Sequence, residues 1–221
     1  MRSCRALVAD FEGLRDVSPA GARAAALEAD PGVARAAALE LRWSEREQWE
    51  RERINAELQR FLAAEPAPLP ESLAGELEVA RLERQAGGDG IEAATARRVL
   101  AHLRIDLAVY LPQELLAARR PGHAAAALGV ACRMEPGNPV LWYNRACALS
   151  LSGGRSPALD ALERAVEAGF ADADLMRSDL DLAGVRDTDR FRALLAAIGG
   201  TPGGGGDGEE VETSRTRESE K

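Results

Sequence analysis

The stretch WYNRACALSLSGGRSPALDALERAVEAG, residues 142–169, reads as two helical faces joined by a turn of small residues. Its pattern recurs when the chain is slid along itself by 34 residues. Residues 105–138 then superpose on 139–172, with Leu115 on Leu149, Ala124 on Ala158, Leu128 on Leu162 and Ala131 on Ala165. Such a repeat is a packing rule. Small residues stand where helices cross closely, and each helix pair leaves an apolar face that a neighbour must cover.

The period and these residues resemble the tetratricopeptide repeat family. Trp142 opens the first helix of the later copy where that family has tryptophan, and Leu149 takes its large-residue place. Ala158 and Ala165 take the small places, Leu162 fills the aromatic place between them, and Pro136 closes the earlier copy, as Ala124, Leu128 and Ala131 pack it. The turn Ser152–Arg155 corresponds to the family's short glycine-bearing turn. Departures are Arg145 and Ala146, where the family has leucine then glycine, and Pro112, which should shorten or kink the first helix of the earlier copy. A third copy upstream fails, because Gly90 and Ala94 replace the signature residues. DADLMRSDLDLAGVRDTDRFRALLAAI, from Asp172, is similar to the closing segment that follows bacterial repeats of this type.

The resemblance implies an all-α chain built as a short TPR-like helical solenoid. Its ends are expected to be covered by the N-terminal helices and by Leu175, Leu180, Leu182, Phe191, Leu194 and Leu195. It also implies a groove lined by the first helix of the later pair, at Tyr143, Asn144, Cys147 and Leu151, able to hold a peptide or protein segment. The alternative is that this strip packs against the preceding pair or the N-terminal arm. Asn144 also matches an asparagine of the clamp that holds acidic chaperone tails. Val109, Gln113, Asp174 and Ser178 stand at the other clamp places, so a carboxylate there would be desolvated without cationic partners, and that ligand is excluded.

Upstream the chain is helical by the same reading. Ser18–Pro19 and Asp30–Pro31 each set a capping side chain before a proline at the first helical position. Both predict helix starts, and the near-copies ARAAALE at 22–28 and 34–40 fit no solenoid period. From Pro31 one long helix is predicted to about Glu65, with Glu47–Arg51 and Arg53–Glu57 pairs and an apolar stripe of Ile54, Leu58, Phe61 and Leu62. Trp43 and Trp49 lean to different faces, either packed against neighbouring helices or forming a docking patch. PAPLP, from Pro66, ends this arm. Helices resume over Glu71–Ala86, break at Gly87–Gly90 and resume over Ile91–Tyr110, with Val99, Leu100, Leu103 and Leu107 on one side. The organisation expected is an N-terminal helical arm (1–65), a proline-rich linker (66–70), a covering segment (71–104), repeats and closing helices (105–198), and a disordered tail (199–221).

Composition agrees with helices and bounds the function. The chain has 221 residues, 46% hydrophobic and 29% charged, but only 4% aromatic, so strand-forming residues are scarce. Lys221 is its one lysine, and the arginine and alanine usage hints at a GC-rich genome. A net charge of −8, without an arginine stripe interleaved with aromatics, argues against a nucleic-acid partner. The start of the chain is interrupted by Asp10 and Glu12 before signal-peptide length, and no apolar run reaches a membrane span, so no membrane role and a cytoplasmic location are expected. Cys4, Cys132 and Cys147 are odd in number and widely spaced, as reduced thiols are.

No chemistry survives a similar reading. Asp179, Asp181 and Gly184 occupy the first, third and sixth places of a calcium loop, but Ala183 and Arg190 hold the fifth and twelfth. His102 and His123 stand at no ligand spacing from a cysteine or from one another, and Gly203–Gly206 follows no strand and precedes no lysine. The expectation is a non-catalytic protein-interaction scaffold with no metal and no cofactor. The alternative from another class is an accessory or regulatory region of an enzyme system, whose catalytic unit lies on another chain or upstream.

Overall fold

The computed structural model describes residues 18–199; Gly199, expected to begin the tail, ends the last helix, and residues 200–221 and the segment before Ser18 lie outside the described residues. Every regular element among the described residues is helical, and no strand occurs there. The chain forms two compact units that meet at Met134 and Glu135.

In the first unit, α1 (Ser18–Ala29) opens the described residues and α2 (Pro31–Ala63) starts at the predicted Asp30 cap. The Asp30 side chain accepts from the Gly32 N–H at 2.6 Å, and Pro31 has no N–H to leave unpaired. A Cβ on residue 32 would sit 3.0 Å from that carboxylate, so the glycine makes room for the cap. With 33 residues, α2 is roughly 50 Å long. Its last turn ends before the prolines at 66, 68 and 70, as expected.

The predicted helix over 71–86 is instead two helices, α3 (Pro70–Glu76) and α4 (Val79–Ala86). Glu78 between them takes the left-handed conformation at φ 54°. Gly75 stands in the last turn of α3, and tertiary partners hold the break: Arg53 of α2 donates to the Leu77 and Glu76 carbonyls at 3.1 and 3.3 Å. This engagement also corrects the expected Arg53–Glu57 pair. Glu57 pairs with Arg60 at 2.6 Å, whereas Glu47–Arg51 forms as predicted at 2.9 Å.

Helix α5 (Gly90–Ile105) buries Val99, Leu100 and Leu103 and does not stop at Tyr110. A π-helical turn over Asp106–Tyr110 leads directly into α6 (Leu111–Ala117). Pro112 has no N–H to give its helix, and the widened turn, with Leu111 N–H on the Asp106 carbonyl, carries the chain past it. The expected kink is thus absorbed as a π turn. Helix α7 (Pro121–Met134) follows, buried at every position from His123 to Met134 except Arg133. It packs on α3 and α6, while α5 packs on α2 and α4.

The second unit holds α8 (Pro139–Leu151), α9 (Arg155–Glu167), α10 (Ala173–Ser178), a 3-10 turn (Leu180–Leu182) and α11 (Asp189–Gly199). Asn138 caps α8 by accepting from Val140 N–H at 3.2 Å, again with proline at the first position. Ala158, Leu162 and Ala165 are fully buried in the α8–α9 contact, with Trp142 and Leu149 packed at its margin. The closing segment covers this pair with Met176, Leu182, Val185, Phe191 and Ile198, and Leu194 and Leu195 pack on it. Leu175 and Leu180 do not join the cover, correcting the expectation: they are 45% and 79% exposed. Of helix α10, Met176 is fully buried in the cluster and Ala173 packs against it, while Leu175 turns outward. The 3-10 turn then points Leu182 in and Leu180 out.

Candidate functional site

The strip expected to line a groove lies on α8, and the structure separates its four members. Tyr143 and Cys147 are buried, whereas Asn144 and Leu151 are exposed. Tyr143 stacks on Phe170 with ring centroids 4.3 Å apart and an interplanar angle of 7°. Its hydroxyl donates to Asp179 Oδ2 at 2.7 Å, and the Cys147 thiol reaches the same oxygen at 3.4 Å. Asp179 Oδ1 accepts from Asp181 N–H at 2.9 Å, and Arg186 donates to the Asp179 carbonyl. One carboxylate therefore ties α8 to the closing segment.

The electrostatics follow from that geometry. Burial pushes the Tyr143 phenol and the Cys147 thiol well above their ordinary ranges, and the Asp179 charge adds to both. Burial alone would raise Asp179, but the bonds from Tyr143, the Asp181 amide and Cys147, with the Arg186 charge, outweigh it and hold the carboxyl below its ordinary range. Asp181 is raised by burial and by Asp179. A thiol held neutral in this way is a poor nucleophile. Gly184 has a packing reason as well: a Cβ there would stand 3.2 Å from Ser150 Oγ and 3.4 Å from the Ser150 carbonyl. Sequence reasoning picked out Asp179, Asp181 and Gly184 by their spacing but missed that they close the strip, together with Phe170 and Arg186, because the contacts join residues about thirty apart.

The first unit contains the other concentration of charge. Glu50 of α2 is buried and receives both terminal nitrogens of Arg81 at 2.9 Å, one on each oxygen, with Arg53 Nε at 3.2 Å. Burial opposes its ionisation, and the two guanidinium groups outweigh burial and lower it. At the end of α2, His123 Nε2 lies 2.9 Å from the Ala64 carbonyl and its ring 5.2 Å from that of Phe61. Both sets fasten the C-terminal half of α2.

Toward its N-terminus the same helix is bare. Of residues 18–49 only Ala24 is buried, and Leu39, Leu41 and Trp49 are 51%, 59% and 51% exposed. Trp43 lies half-covered beneath Arg98, whose guanidinium carbon stands 4.7 Å from the ring centroid, at a cleft also lined by Ala36 and Leu39. Of the two expected tryptophan fates, Trp43 takes the packed one and Trp49 the exposed one.

No family model matches the chain, nor does any curated protein or solved structure.

Proposed function

We propose that this chain is a non-catalytic helical scaffold that binds a peptide or protein segment, and that it binds through the arm of α2 rather than through the strip on α8. The observation that carries the reading is the contrast in cover. Tyr143 and Cys147 are spent on the chain's own closing segment, while the N-terminal half of α2 presents large apolar side chains to solvent. An exposed apolar face of this kind gains free energy when a partner covers it, at about 25 cal/mol per Å² removed from water.

The two strongest clusters of buried polar groups support the same reading, because each has a packing task. Glu50 with Arg81 and Arg53 fixes α3 and α4 on α2, and Asp179 fixes the closing segment on α8. Capture by the tagged chain from a lysate that also holds the untagged chain tests the proposal. Retention should be lost with Leu39→Asp or Trp49→Ala and kept with Asn144→Ala and Leu151→Ala. The reverse pattern would return binding to the groove of α8.

A further inference from the structure

We infer that the segment bound by the α2 arm is the same arm of a second copy, paired in parallel over residues 35–49. This rests on the scaffold reading and names its partner.

Along the covered half of α2 one face points inward. At 100° per residue, Glu50, Ile54 and Phe61 lie within an arc of about 60°, and Ala36, Leu39 and Trp43 fall in that same arc. Glu50, Ile54 and Phe61 are buried, whereas Leu39 is half exposed and Trp43 is covered only in part. One stripe, apolar but for Glu50, thus runs along α2; the unit buries its C-terminal half and reaches the N-terminal half only at Trp43, where Arg98 lies over the ring.

Charge selects the occupant. In heptad terms Ala36 and Trp43 stand at a and Leu39 at d, which places Arg35 and Arg42 at g and Glu40 and Glu47 at e. One flank is basic and the other acidic. In a parallel pair each g residue meets the e residue of the partner's next heptad, so Arg35 meets the partner's Glu40 and Arg42 meets the partner's Glu47. An antiparallel pair would set arginine against arginine and glutamate against glutamate. Arg46 at the second d place has its guanidinium carbon 5.3 Å from the Trp49 ring centroid, which draws it off the seam. Arg35, Glu40 and Arg42 are exposed, and Glu47 is already bound by Arg51 and Arg98, so the second ion pair would extend an existing network. The contact spans about two heptads, roughly 22 Å of helix, and the dimer should dissociate on dilution.

Sedimentation equilibrium of the purified full chain tests this. The mass should rise with concentration from 23.5 kDa toward twice that value. Arg35→Glu with Arg42→Glu should weaken dimerisation at least tenfold, as should Glu40→Arg with Glu47→Arg, while an equimolar mixture of the two variants should pair again. Leu39→Asp should also give monomers, and Leu41→Ala on the opposite face should not. Helical dichroism unchanged in each variant separates lost pairing from lost folding. A chain that is monomeric at every concentration overturns the inference, whether residues 1–17 or another protein then covers the stripe. So does a dimer indifferent to Leu39→Asp and to both charge reversals. The scaffold reading is judged separately: capture of a different protein, lost with Leu39→Asp, would uphold it while the purified chain stayed monomeric.

Discussion

The two copies of the 34-residue pattern share the turn between their helices and differ in what surrounds it. Helix α6 ends at Ala117 and α7 starts at Pro121; α8 ends at Leu151 and α9 starts at Arg155, in each case 34 residues later. Even the turn conformation is repeated. Arg119 and Gly153 both have positive φ, 57° and 84°, and in both the next amide bonds back across the helix end, Arg120 to Leu115 at 2.8 Å and Gly154 to Leu149 at 2.9 Å. The first copy, however, is entered through a π turn continuous with α5, and the second through a capped proline. Their second helices differ more. Val130 is buried in α7, while its counterpart Arg164 projects from α9 with its side chain 65% exposed. The period therefore fixes where helices turn and leaves open whether a helix is interior or exterior.

Exchanging these counterparts separates the two helices by the largest energy. Val130→Arg puts an unpaired charge into a buried position and should cost more than about 4 kcal/mol, whereas Arg164→Val removes only an exposed pair with Glu167 and should change stability by less than about 0.5 kcal/mol. Denaturant unfolding of both variants reads the difference. Comparable losses would mean that α7 and α9 are equivalent after all.

A smaller effect sharpens the account of the second unit. Tyr143→Phe keeps the Phe170 stack and removes the bond to Asp179, and should cost about 1 to 2 kcal/mol near neutral pH. The depressed Asp179 carboxyl contributes stability that is present above its unfolded value near 3.9 and lost as pH falls through the lower folded value. Stability of the wild type should therefore fall more steeply with acid than that of the Phe variant. Equal slopes would detach Tyr143 from the carboxylate.

The smallest effects have opposite signs. Gly153→Ala forces a side chain into the left-handed region and should destabilise by about 1 kcal/mol, while Arg119→Gly relieves the same strain and should stabilise by about 0.5 kcal/mol after the added flexibility of the unfolded chain. Melting temperatures of the two variants check the signs. If both fell, the shared turn would not be a shared strain.

Local rules made much of the fold legible. Asp30–Pro31 marks a helix start and PAPLP ends the arm, while the alanines at 158 and 165 are fully buried in the cluster that α9 shares with α8. What stayed hidden depends on partners distant in sequence. At the break at Glu78 the sequence offers only Gly75, and the contacts that hold it come from α2, through Arg53 and the Glu50–Arg81 pair. The π turn was announced by Pro112 only as a defect. Of the strip on α8, the helix and its period were readable, but its closure by Asp179 and Phe170 was not, since nothing local tells a groove from a seam. The bare half of α2 was readable as a choice between packed and exposed tryptophans, and each tryptophan took a different branch.

Tyr143 and Cys147 on α8 are closed off by the chain's own closing segment, and the N-terminal half of α2 is open. Peptide-resolved amide hydrogen exchange on the dilute full chain measures both at once. Amides of 143–151 should exchange slowly, through opening of the buried contact alone, while those of 34–46 should exchange fast when dilute and slow as concentration rises. Fast exchange over 143–151, with 34–46 protected at every concentration, would contradict it.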